Sequence, residues 1–127
     1  MLLLVMLMLL PPPRNVVVVV NPANPMKTLS VDQAAQYFLG RATNLTPLDQ
    51  GERTPLRQNF YQKVAGKDSE QVKAIWSKIV FTGRGFPPRQ YGNASDLKRA
   101  VAANPDAIAY LDEADVDDTV KVVLSLP

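Results

Sequence analysis

Neither cysteine nor histidine occurs in this sequence of 127 residues. The chain therefore has no thiol nucleophile, no histidine for a Ser-His-Asp triad and none of the usual zinc or copper ligand sets. Catalysis would have to rest on carboxylates, lysine, tyrosine or serine. A small carboxylate-dependent enzyme is one reading of the sequence, but no spacing selects a catalytic pair.

Strong net charge and basic runs are also missing. The formal charge is +2, which is too small to indicate nucleic-acid binding, and no run of lysines and arginines compensates for it. The charges are nevertheless uneven, because basic residues outnumber acidic ones between Arg41 and Arg99 while the stretch from Asp106 to Asp118 is acidic. A basic middle suits a small anion, and a solvated surface is the alternative reading.

The composition, with 46% hydrophobic and 20% charged residues, fits one compact domain without repeats or low-complexity linkers. The first ten residues, "MLLLVMLMLL", are apolar throughout. A transmembrane helix needs about 20 such residues, whereas a shorter run matches the apolar core of a secretory signal. We therefore expect residues 1–14 to form an export signal and residues 15–127 to form a single domain. An additional buried strand or a short helix is the alternative for the apolar run.

Strand and helix patterns alternate along the rest of the chain. The β-branched run Asn15–Val20 is typical of a strand buried on both faces. Pro47 marks Leu45–Asp49 as an edge or irregular strand, and Phe81–Asn93 is expected to be a loop rich in glycine and proline. The remaining expected elements are helices that begin at Ser30, Thr54, Ser69 and Ser95, and strands over Ala107–Leu111 and Thr119–Ser125. This alternation predicts an α/β architecture with helices packed on a central sheet.

The best local candidate for chemistry is the loop that leads into the second helix, "DQGERTPLRQ". The first N–H groups of a helix lack partners within the helix, and the helix dipole places partial positive charge there, so an anion is stabilised at such an end. Thr54 offers a hydroxyl, Arg53 and Arg57 offer charge-assisted hydrogen bonds, and Gln50 offers an amide. The alternative is that Thr54, followed by a proline, only begins a helix.

Three further features are candidates, and each has a simpler explanation. Gly83–Gly85 is a candidate for an anion-holding turn beside Arg84, although turn geometry already explains the glycines. Asp112–Asp118 contains five carboxylates, but their spacing does not fit an EF-hand loop, so a solvated turn or the start of a short helix is favoured. Trp76 lies at helical spacing with other apolar residues and is expected in the core.

Three blocks of sequence, taken in order, resemble the phosphate-type substrate-binding proteins of bacterial ABC transporters. These blocks are "LSVDQAAQYFLGRAT", "DQGERTPLRQNFYQKVAG" and "GNASDLKRAVAANPDAIAYLD", and the resemblance extends from about Val16 to Leu124. It implies a periplasmic-binding-protein-like α/β fold, with a central mixed sheet flanked by about four helices.

The resemblance also implies export to the periplasm, no cofactor, no catalysis and the binding of phosphate or a similar oxyanion. Thr54 stands where the family has its binding hydroxyl, and Arg57 stands where an anion-pairing arginine is common. The implied partners are the membrane subunits of an ABC transporter, or another periplasmic protein.

The chain departs from the family pattern in ways that bear on binding. Pro55 replaces a glycine and removes one N–H group, and Ala109 replaces another glycine. The family's early loop rich in glycine, serine and threonine has no counterpart, and the chain is short for two lobes. Two readings follow: a single lobe that binds an oxyanion weakly or with a second subunit, as in a homodimer, or an accessory interaction module that binds no small ligand.

Overall fold

The computed structural model describes residues 15–127, so the expected export signal lies outside the described part of the chain. This part contains five strands, four α-helices and a 3-10 helix at Glu113–Asp115. The strands are β1 (Val16–Val20), β2 (Thr46–Gln50), β3 (Arg89–Tyr91), β4 (Ala107–Asp112) and β5 (Lys121–Leu126). The helices are α1 (Val31–Phe38), α2 (Pro55–Ala65), α3 (Ser69–Phe81) and α4 (Ala94–Ala103).

The strands form one mixed sheet in the order β3-β2-β4-β1-β5. Strand β2 runs parallel to β3 and β4, whereas β1 lies antiparallel between β4 and β5. The architecture expected from the sequence, a central mixed sheet with about four helices, is confirmed.

Both faces of the sheet are covered, and β1 connects the two cores. Val16, Val18 and Val20 point into the core beneath α1, α2 and α3. Val17 and Val19 point into the core beneath α4. The prediction that the valine run is a strand buried on both faces is thus confirmed. A strand with helices on both faces has no solvent side on which to place polar residues.

One of the two alternatives for β2, the edge strand, and the prediction of an uninterrupted loop over residues 81–93 were wrong. Strand β2 is not an edge strand, because it lies between β3 and β4. Its proline is tolerated because pairing with β3 begins only at Leu48, so Pro47 has a strand neighbour on the β4 side alone. The second error is β3 itself, a strand of three residues within the segment that we expected to be a loop.

Side-chain caps define the helix starts. The capping box of Ser30 and Gln33 is present at α1, and Thr54 caps α2. The expected cap of the fourth helix was wrong: Asn93 caps α4, and its side-chain oxygen accepts from the backbone N–H of Asp96 at 2.8 Å, so Ser95 lies inside the first turn. Asparagine is at least as good an N-cap as serine, which explains the shift.

Helix α1 ends close to α3 at Gly40, where the backbone has a φ of 76°. A Cβ atom on Gly40 would lie 2.8 Å from ring carbon Cη2 of Trp76 and from Cδ1 of Ile79. Trp76 is buried, as predicted, and its indole N–H donates to the Phe38 carbonyl at 3.0 Å. The absence of a side chain at Gly40 therefore leaves room for the Trp76 ring, whose hydrogen bond to Phe38 joins α3 to α1. Within residues 15–127, no helix has the length and apolar character needed to span a membrane.

Candidate functional site

Strands β2, β3 and β4 are parallel, so their carboxyl ends lie at one edge of the sheet. From this edge the chain leaves β2 toward α2 on one face and leaves β3 toward α4 on the other. Where adjacent strands send their connections to opposite faces, a crevice opens that commonly binds ligands in α/β proteins. The loop selected from the sequence lies at this edge.

A buried carboxylate occupies the carboxyl end of β2. Asp49 is 2% exposed. Its Oδ2 accepts from the Tyr61 hydroxyl at 2.6 Å, and its Oδ1 accepts from the Tyr110 hydroxyl and, at 2.8 Å, from the backbone N–H of Gln50. Because a buried charge is costly unless it is hydrogen-bonded, these donors are what keep Asp49 in the interior.

The two tyrosines are held in the protonated state. Burial is the largest cause of the raised pKa of Tyr61 and of Tyr110, and the negative charge of Asp49 raises both pKa values further. Both hydroxyls therefore remain donors to Asp49 at neutral and moderately alkaline pH.

Arg57, one of the predicted anion ligands, belongs to this buried cluster. It is 5% exposed, and its Nε lies 3.4 Å from Oδ1 of Asp49. Its Nη1 donates to Oγ of Ser69 at 2.7 Å, and its guanidinium carbon lies 4.9 Å from the centre of the Tyr61 ring. The Nε is buried without a hydrogen bond of good geometry. Arg57 thus forms an internal ion pair rather than extending from the helix start into solvent.

The other three predicted residues have different surroundings. The Thr54 hydroxyl donates to the Gly51 carbonyl at 2.9 Å and accepts from the backbone N–H of Arg57 at 3.4 Å. The Gln50 amide donates to the Tyr110 carbonyl at 2.8 Å. Arg53 is exposed on the loop. The structure thus places all four residues on one loop and helix start, with only Arg53 directed to solvent.

Sequence reasoning missed three members of the cluster: Asp49, Tyr61 and Tyr110. Asp49 was counted only as the end of a strand, and the tyrosines fit apolar patterns in a helix and a strand. One signal was available, namely an aspartate near the end of a strand, followed on the next helix by an arginine and a tyrosine four residues apart.

A groove of about 450 Å³ opens above this cluster, between α3 and the Pro87–Pro88 segment. Asp49, Glu52, Arg57 and Lys73 are the charged residues that line it. Its apolar side is formed by Val72, Trp76, Val80, Phe81 and the two prolines. A polar end and an apolar wall are typical of small-ligand sites. The groove is therefore a second concave feature, and it lies beside the candidate loop.

The remaining candidates follow their simpler explanations. Gly83 has a φ of 71°, and the backbone N–H groups of Gly83 and Arg84 donate to carbonyls at the end of α3, so this turn closes a helix. In the acidic segment, hydrogen bonds from Lys98 and Thr119 lower the pKa of Asp117 to about 2. Residues 15–127 hold no group of carboxylates close enough together to bind a metal ion.

Three solved structures share this fold. A protein from Clostridium perfringens, assigned as a phosphate ABC transporter substrate-binding protein and solved with bound phosphate, superposes with a TM-score of 0.70 at 20% identity over 87% of this chain and 44% of its own. An ABC-type phosphate transport receptor from Vibrio cholerae gives 0.68 at 19% identity, over 87% and 45%. A protein from Planctomyces limnophilus DSM 3776, assigned as phosphate-binding, gives 0.62 at 14% identity, over 87% and 40%.

The described chain therefore has the α/β fold of a single lobe of the periplasmic-binding-protein type, as the sequence resemblance implied. It spans less than half the length of the structures that it matches. No family model and no curated protein matches the sequence itself.

Proposed function

We propose that this chain is an exported solute-binding lobe that binds phosphate or a similar oxyanion without catalysis. The supporting observation is its fold, which it shares with a structure solved with phosphate bound. Two further points agree with this function: the candidate loop lies at the carboxyl edge of the sheet, and it leads into the start of α2. The membrane subunits of an ABC transporter, or another periplasmic protein, are the proposed partners.

The proposed site consists of the start of α2 with Gln50, Arg53, Thr54 and Arg57. Arg53 supplies the exposed charge, and the α2 dipole adds partial positive charge at the same place. Arg57 contributes from within, although Asp49 offsets much of its charge. Thr54 and Gln50 chiefly fix the shape of the loop through their hydrogen bonds within the chain.

Affinity is expected to be modest for the chain alone. A single lobe leaves the anion at an open surface, where water competes for hydrogen bonds and charge pairs are weak. A second lobe or a second copy that closes over the loop would exclude water and strengthen every contact. We therefore expect tight binding only when such a partner completes the cleft.

Isothermal titration of the full chain with phosphate in low-salt buffer tests this proposal, with sulfate titrated in parallel. We expect saturable phosphate binding that weakens about threefold in Arg53→Gln, in line with a surface charge pair. Arg99→Gln removes another exposed arginine, on α4, and should bind like the wild type. Absence of saturable binding at millimolar phosphate, or equal affinity of Arg53→Gln and the wild type, would contradict the proposed site.

The accessory-module reading is favoured by a different observation. Phe81 and Phe86 are 92% and 84% exposed, which is unusual for side chains of this size. A folded chain that shows no saturable phosphate binding but depends on these two side chains for a binding activity would support this second function.

A further inference from the structure

The end of α3 projects two phenylalanines into solvent. Phe81 is the last residue of the helix, and Phe86 lies beyond the tight turn in which the backbone N–H of Arg84 donates to the Ile79 carbonyl at 3.1 Å. We call residues 81–86 the tip. The next most exposed large apolar side chain among the described residues, Val80 at 41%, adjoins the tip. Exposed apolar surface is therefore concentrated at one place.

Three cations lie within or beside the tip. Arg41, Lys78 and Arg84 come from the segment after α1, from α3 and from the tip, and they share a shallow depression of about 460 Å³. Its other lining residues are apolar or glycine, and no carboxylate is among them. Within residues 15–127, none of the three cations forms an ion pair.

The sequence around the tip is depleted of negative charge in the same way. From Gln71 to Ser95 it contains Lys73, Lys78, Arg84 and Arg89 and not one aspartate or glutamate. The carboxylates of the chain lie outside this stretch of sequence, as in the acidic segment Asp112–Asp118, although Asp49 and Glu52 line the groove that Phe81 also lines. Like charges gathered without counter-charges attract an anionic surface.

We propose that the tip docks this protein onto an anionic lipid bilayer. Phe81 and Phe86 enter the interfacial layer, which accepts aromatic side chains without a shaped complement. Arg41, Lys78 and Arg84 meet the lipid phosphates, whose negative potential attracts basic residues close to the surface. The attachment is peripheral, and it uses none of the residues of the proposed phosphate site.

A bilayer explains the tip better than an acidic protein does. A protein partner holds an aromatic side chain in a matching, well-packed pocket. The phenylalanines here project on either side of a turn held by Gly83. Projecting aromatic side chains beside cations are the combination expected of a surface that binds lipid.

Co-sedimentation of the full chain with vesicles tests the proposal. We expect binding to vesicles of phosphatidylcholine and phosphatidylglycerol mixed at about 3:1, weaker binding to phosphatidylcholine alone, and a decrease as salt rises. Phe81→Ser with Phe86→Ser should remove most of the binding. Lys78→Gln and Arg84→Gln should each lower it about fivefold.

Matched controls separate the tip from other causes. Val31→Ser with Val122→Ser removes exposed apolar side chains elsewhere, and Lys27→Gln with Arg99→Gln removes the same number of charges elsewhere; both pairs should bind like the wild type. Equal binding of the tip variants and the wild type would overturn the proposal by assigning the binding to another segment, such as the apolar residues 1–10.

Two more results would overturn the proposal. The first is the absence of binding to the anionic vesicles, which would leave an acidic protein as the partner to seek. The second is release by inorganic phosphate but not by chloride at equal ionic strength, which would show that the cations hold a soluble anion. Arg53→Gln should retain vesicle binding, so failure of the phosphate site and failure of the tip are distinguishable.

Discussion

At the scale of single residues, Asp49 is the side chain on which the buried cluster depends. It neutralises Arg57 and accepts from both tyrosine hydroxyls. We expect Asp49→Asn to lower the free energy of unfolding by about 3 kcal/mol, because breaking a buried pair leaves the partner charge uncompensated. Urea unfolding followed by circular dichroism measures this change.

The control for this prediction is Asp118→Asn, which removes an exposed carboxylate from the acidic segment. Surface substitutions of this kind usually change stability by less than about 0.5 kcal/mol. Similar stability of Asp49→Asn and Asp118→Asn would mean that Arg57 does not depend on the buried carboxylate.

The tyrosines predict how stability changes at alkaline pH. Above about pH 10 the unfolded chain releases the protons of these tyrosines, whereas the folded chain, with raised pKa values, retains them. Stability from this source is therefore complete below pH 10 and decreases above it, by about 1.4 kcal/mol per pH unit for each tyrosine. Urea unfolding between pH 9 and 11 should show a shallower decrease for Tyr61→Phe than for the wild type. Identical slopes would contradict the assignment.

Sequence alone predicted the helix cap at Thr54 because capping is local: the hydroxyl and the N–H group that it accepts from are three residues apart. It did not predict the surroundings of Arg57. The partner of that arginine, Asp49, lies on a strand, and the third member, Tyr110, is 61 residues further along the chain. Pairings over such separations are decided by the packing of the whole sheet.

At the scale of elements, Gly40 fixes the approach of α1 to α3. In Gly40→Ala the new methyl group would meet the Trp76 ring, and the left-handed backbone would cost about 1–2 kcal/mol in addition. We therefore expect Gly40→Ala to destabilise the protein and to shift the fluorescence of its single tryptophan.

Gly83→Ala is the matched control. Gly83 has a similar φ of 71°, but a Cβ atom there would have nothing within 4 Å. It should therefore show only the backbone cost and leave the tryptophan fluorescence unchanged. Equal destabilisation in the two variants would mean that α1 and α3 have room to separate.

The elements also show where patterns in the sequence are insufficient. The four helices were predicted because each has an apolar face and a capping residue at or close to its start. Strand β3 was missed because three residues are too few for alternation to be visible, and because its strand character comes from pairing with β2. The interior position of β2 was missed because a proline excludes a hydrogen-bonded neighbour only at its own position. The rest of the strand can still pair on both sides.

At the scale of the whole molecule, β1 should make the two cores unfold together. We expect Val17→Ala, in the core beneath α4, to shift the transition reported by Trp76, in the opposite core, by about 2 kcal/mol. Val18→Ala, on the same strand but facing Trp76, is the comparison. Coincident urea transitions by fluorescence and circular dichroism would confirm one cooperative unit. A fluorescence transition unchanged in Val17→Ala would show that the cores are independent.

The general fold was predictable from the order of strand and helix patterns, and the motif resemblance specified it further. The order of the strands in the sheet was not predictable, since it depends on which strands pair across the whole sheet. The ligand site was least predictable, because the side chains of the candidate loop are largely committed to contacts within the chain.

The central position of β1 also has a consequence for aggregation. Five consecutive valines form a segment with high β-propensity and no charge, which is the composition that assembles into cross-β fibrils when exposed. In the folded protein both backbone edges of this segment are paired, with β4 and with β5. Fibril growth therefore requires unfolding first, and at a fixed total protein concentration its rate should rise with the fraction of chains that are unfolded.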